Sequence, residues 1–75
     1  MSYLKADGFD DAIVGICKAS ERIVYDKEKM IQVLIDRDGM DYDTAIEFLE
    51  FNTWCAYVGE NTPIYLDSID LIDDL

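Results

Sequence analysis

Two short β-branched runs open the patterned part of this chain, and helical periodicities follow them. Residues 12–17 (Ala-Ile-Val-Gly-Ile-Cys) and 22–26 (Arg-Ile-Val-Tyr-Asp) are separated by the polar or small residues Lys18 to Glu21, which predicts a β-hairpin. A helix from Asp10 or Asp11 to Ala19 is the competing expectation. Gly15 and the Ile/Val content weigh against it. Asp26 is placed to cap a helix over 27–37, where Met30, Ile31, Leu34 and Ile35 form one apolar face. Gly39 is expected to stop that helix in a left-handed conformation.

A second helix is expected over about 42–57, capped by Asp41, with Met40 and Ala45 forming a weak hydrophobic staple. Ala45, Ile46, Leu49, Thr53 and Ala56 would face the rest of the fold, with Phe48, Phe51 and Trp54 widening that stripe. Gly59 marks the exit. Asn61-Thr62-Pro63 reads as a turn, and Ile64-Tyr65-Leu66 as a third strand that Pro63 starts at a sheet edge. From Asp67 to Leu75 the chain alternates acidic and apolar residues. Ser68 is placed to cap a short helix with Ile69, Leu71, Ile72 and Leu75 on one side. The expected architecture is a small α+β domain in the order β-β-α-α-β. Two helices pack on one face of a three-stranded sheet over residues 1–66, followed by an acidic amphipathic tail at 67–75.

Size sets the scale of the core. A chain of 75 residues makes one domain and buries only about 60–65% of its unfolded surface. A hydrophobic content of 51% that includes five Tyr, three Phe and one Trp is too high for intrinsic disorder. No run of about 18 apolar residues is present, and the first residues lack the basic-then-apolar pattern of a secretion signal. The two cysteines, Cys17 and Cys55, are far apart and unlike any metal-finger spacing. A reducing cytoplasm with both thiols free and buried as small hydrophobes is therefore expected.

Charge changes the picture most. All six basic residues lie in the first 37 positions, where seven acids face them. From Asp38 onward there are ten acids (Asp38, Asp41, Asp43, Glu47, Glu50, Glu60, Asp67, Asp70, Asp73 and Asp74) and no Lys or Arg, within a formal net charge of -11. Carboxylates without internal counter-ions repel one another and stabilise a fold poorly. Direct binding to nucleic acid or to an anionic membrane is excluded by the same repulsion. The simplest reason to keep the acids is a partner that supplies the positive charge.

Candidate chemistry is sparse. Asp36 to Glu47 resembles a calcium loop at its first, third and twelfth positions. It fails where Met40 occupies a ligand position and where Gly39 falls two places early. Asp7, Asp10 and Asp11 suit turn and capping roles as well as a functional one. With no histidine, no phosphate loop and no nucleophile setting, a non-enzymatic protein without cofactor is expected. Asp43, Glu47 and Glu50 fall at i, i+4 and i+7 of the second helix, on one side. Such a row serves as a solvated helix face, but the lack of interleaved bases makes a partner surface the sharper reading. Tyr42, Tyr57, Trp54 and Tyr65 are candidate apolar anchors beside it, each also able to serve in the core.

Residues Asp7-Gly8-Phe9-Asp10-Asp11-Ala12-Ile13-Val14-Gly15, Asp38-Gly39-Met40, Ala45 to Asn52 and Ala56 to Ile64 carry a resemblance. The chain resembles a group of small acidic proteins encoded by bacteriophages and other mobile elements. The resemblance covers most of residues 7–66 and assigns no functional residues. It implies the context of host-defence inhibitors, including anti-CRISPR and anti-restriction proteins, many of which imitate the charge of DNA. The expectation is an inhibitor that occupies a basic nucleic-acid-binding groove of a host complex through the ten acids above. The alternative is a small adaptor or assembly protein, homodimeric in one version, whose apolar tail face or sheet edge makes the contact.

Overall fold

The computed structural model describes residues 3–67. A 3-10 turn at Asp10–Ala12 leads into strand β1 (Ile13–Cys17), then β2 (Arg22–Asp26), helix α1 (Lys27–Asp38), helix α2 (Tyr42–Leu49), a π-helical turn (Glu50–Trp54) and strand β3 (Ile64–Leu66). The class is α+β, and the order β-β-α-α-β is the one expected. Residues 10–19 take the hairpin alternative: a three-residue 3-10 turn precedes β1, and the helix running to Ala19 does not form. The helix expected from Ser68 lies outside the described residues.

The sheet runs β1-β2-β3. β1 and β2 are antiparallel, with Ile13 opposite Tyr25, Ile16 opposite Ile23 and an irregularity between Ile13 and Gly15. The turn between them places Glu21 at φ 56. β3 lies parallel to β2, pairing Val24 with Ile64 and Tyr25 with Tyr65. Parallel neighbours need a long crossover, and α1 and α2 supply it.

Period-two burial along β2 sends Ile23 and Tyr25 into the core. The helices meet them there with Met30, Ile31 and Leu34 from α1 and Ala45 and Leu49 from α2. Phe9 and Ala12 close the core beside the hairpin. The Tyr25 ring is fully buried, and its hydroxyl accepts the Ala6 backbone N–H at 2.8 Å, so no polar atom is orphaned. Tyr65 packs against it in a tilted arrangement, with ring centroids 5.7 Å apart. Val24, Ile64 and Leu66 point to the other side of the sheet, where Leu66 is exposed.

Local chemistry sets the helix limits. The Asp26 carboxylate accepts the Lys29 N–H at 3.1 Å and starts α1. Gly39, at φ 70, donates its N–H to Ile35, and Met40 donates to Leu34, which closes the helix. Asp41 accepts the Thr44 N–H at 2.8 Å and starts α2. Met40 packs against the core that buries Ala45, as the staple pattern suggests.

The second helix departs from its expected length. Regular α geometry ends at Leu49 rather than continuing to residue 57. The Asn52 side chain donates to the Phe48 carbonyl at 2.9 Å, taking the acceptor that the Asn52 backbone N–H would use in an α-helix. The next turn widens to π geometry and ends at Cys55. Phe48 and Phe51 are 40% and 81% exposed, so they do not widen the inner stripe. Ala56 is also exposed. Cys55 is an exposed free thiol and Cys17 a half-buried one, because the chain leaves the core where the π turn ends and because β1 lies at the sheet edge.

Candidate functional site

The ten acids of the second half divide into distinct groups. Asp38 forms an ion pair with Arg37 at 3.1 Å, and Asp67 pairs with Lys27 at 3.2 Å. Both are therefore met by the chain's own bases. Asp41 is committed to its cap, where the Thr44 hydroxyl and backbone N–H hold its carboxyl below the ordinary aspartate range. Glu60 sits on the loop before β3. Asn61 and Arg22 tie that loop to the hairpin, donating to the Glu21 and Thr62 carbonyls respectively. Asp70, Asp73 and Asp74 lie outside the described residues.

Asp43, Glu47 and Glu50 remain. All three are exposed on α2 and its continuation. At about 100° per residue they occupy an arc of about 60° on the outer side of the helix. None forms an ion pair among the described residues. Beside Glu47, a shallow depression is lined by Thr44, Phe48, Phe51 and Asn52. Tyr57 and Val58, on the following loop, are 77% and 58% exposed. The outer side of α2 thus sets a carboxylate row against two exposed phenyl rings.

The anchors named from sequence fare unequally. Tyr57 is open to solvent. Tyr65 is half-buried, and burial followed by the neighbouring Tyr25 raises its pKa. The Tyr42 hydroxyl donates to the Glu28 carboxylate, at 3.0 and 3.1 Å to its two oxygens, and joins the N-terminal ends of α1 and α2. That hydrogen bond, with burial and then the Glu28 charge, pushes the Tyr42 pKa above the ordinary tyrosine value. Trp54 is carried inward by the π turn. Its indole N–H donates to the Met30 sulfur at 3.5 Å, and the Lys27 ammonium lies 4.7 Å from the ring centroid. Phe48 and Phe51 were missed as surface residues. Angular bookkeeping from Ala45 and Leu49 contains the signal, since it puts Phe51 about 120° from Ala45 and turned away from Leu49.

A second feature lies on the other flank of the row. Between α1 and α2 runs a groove of about 390 Å³, lined by Ile31, Tyr42, Ile46, Trp54 and Cys55. Glu28, Glu50 and Asp67 stand around it with one cation, Lys27. Glu50 therefore belongs both to the outer row and to the groove.

In the first acidic group one residue has a partner. Asp10 pairs with Lys5 at 3.2 Å. Arg37 donates to the Gly8 carbonyl at 2.9 Å and lies over the Phe9 ring, fixing the segment before β1. No group of three His, Cys, Asp or Glu side chains among the described residues is arranged to hold a metal ion. No helix among the described residues is long and apolar enough to cross a membrane. Compared with known proteins, the chain matches no family model, no curated protein and no solved structure.

Proposed function

We propose that this protein is an inhibitor of the phage type, which covers a basic nucleic-acid-binding surface of a host defence complex. The observation that carries this reading is the Asp43–Glu47–Glu50 row, exposed and without counter-ions among the described residues, set beside Phe48 and Phe51. The row rises about 10.5 Å along the helix, a mean interval of about 5 Å per charge. One DNA strand carries a phosphate about every 3.4 Å. The helix is therefore a sparser polyanion than the ligand it imitates. Charge on this scale accelerates and orients encounter more than it holds a complex together. The exposed rings supply the desolvated contact that slows departure.

The same rings favour a second reading, an adaptor or self-associating protein in which Phe48, Phe51 and Tyr57 make the contact and the charge serves solubility. Immobilised protein exposed to a bacterial host lysate separates the two. On the inhibitor reading, a nucleic-acid-binding protein is retained, duplex DNA elutes it, and Glu47→Lys/Glu50→Lys fails to retain it. Retention that duplex DNA leaves unchanged, or that the double variant preserves, would sink the inhibitor reading.

A further inference from the structure

We infer that the groove between α1 and α2 is a docking site for an amphipathic segment of the partner, carrying Lys or Arg beside a bulky apolar side chain. This rests on the proposed reading of the chain as a binder of basic surfaces and names the part of the partner that is held. The groove has the two properties such a segment needs. Its apolar lining comes from Ile31, Ile46 and Trp54, in a volume of about 390 Å³ that accepts whole side chains. Three acids, Glu28, Glu50 and Asp67, line it with the single ammonium of Lys27; Tyr42 donates to Glu28 and Lys27 pairs with Asp67, which leaves Glu50 to meet a cation from outside.

The ring face of Trp54 already takes a cation. Lys27 lies 4.7 Å from its centroid while paired with Asp67 at 3.2 Å. Glu50, from the continuation of α2, has no such partner among the described residues. A basic side chain of the docking segment meets Glu50, and its apolar neighbour rests on Ile46 and Trp54. This is the helix-in-groove mode of recognition, with apolar anchors at helical spacing and charge fixing the direction. Because Glu50 also ends the outer row, the docked segment lies next to the surface that the row covers.

Trp54 is the only tryptophan, so its emission reports on the groove directly. The probe is a Lys/Leu peptide of roughly four helical turns with its leucines on one face. A control peptide of the same composition has its leucines scattered around the helix. The exposed thiol of Cys55 allows the groove to be blocked without changing any carboxylate. It is alkylated with a bulky maleimide in a Cys17→Ser chain whose circular dichroism matches the parent. The amphipathic peptide is expected to shift Trp54 emission saturably. The scattered peptide and the blocked groove should each bind at least about ten-fold more weakly.

Equal binding of both peptides, or no effect of blocking, would overturn the proposal. Peptide binding that arises only in an Ile69→Asp/Ile72→Asp chain would also overturn it, pointing to residues 68–75 as the groove's occupant. Failure of the peptide arm with DNA-competed capture intact removes the groove alone. Loss of DNA competition removes the parent reading.

Discussion

Replacing Glu47 with lysine should make the protein more stable and a worse binder. Glu47 stands four residues after Asp43 and three before Glu50, and all three side chains are exposed. Like charges at these spacings cost about 0.2–0.5 kcal/mol per pair, and opposite charges gain a similar amount. The substitution turns two repulsive pairs into attractive ones, a gain of about 1–2 kcal/mol at low ionic strength. In a domain of this size that raises the melting temperature by roughly 5–10 °C. Thermal and urea unfolding followed by circular dichroism, at low salt and again at high salt, measure it. The gain should shrink as salt screens the pairs, with the urea m value unchanged. The same variant should lose capture of the basic partner. A melting temperature that stays level or falls at low salt would refute the reasoning, because the carboxylates would then be stabilising the fold rather than awaiting a partner.

Leu49 is fully buried where α2 meets the core. Leu49→Ala should cost about 3 kcal/mol, a large share of the roughly 4–11 kcal/mol expected for a domain this small, and should appear as a lower urea midpoint. At alkaline pH, Tyr42→Phe should flatten the loss of stability. The Tyr42 pKa is raised in the folded state, so its contribution is complete below the ordinary tyrosine pKa and fades as pH climbs through the folded value. Tyr65, also raised, accounts for part of the slope that remains. At acid pH the sign reverses for Asp41, whose folded pKa is lowered. Its contribution is present above the ordinary aspartate pKa and lost as pH falls through the folded one, so Asp41→Asn, which keeps a capping oxygen, should show a shallower acid limb.

Much of the fold is legible in local chemistry. The β-branched runs become β1 and β2, Asp26 and Asp41 cap their helices, and Gly39 stops α1 as a left-handed residue. These signals are short-range, and backbone hydrogen bonding decides them. The end of α2 is harder to read. No Gly or Pro interrupts residues 49–54, and the break is accompanied by a side-chain amide, Asn52, donating to the Phe48 carbonyl. Across that turn Trp54 reaches Met30 while Phe51 stays exposed.

The candidate site was legible only in part. Spacing alone places Asp43, Glu47 and Glu50 on one side of a helix. Counter-ions are a tertiary property, so sequence could not reveal that Lys27 meets Asp67, forty residues later. The groove has the same origin, since it forms only where α1 and α2 lie side by side.

The most direct test of the central claim is the salt dependence of binding to the captured partner, measured for the parent chain and for Glu47→Lys/Glu50→Lys. If the α2 carboxylates meet the partner's cations, the parent's affinity falls steeply with ionic strength and duplex DNA competes with it. The variant should then bind weakly at every salt concentration while remaining folded. A flat salt response shared by both chains, with DNA bound at the same time, would contradict it.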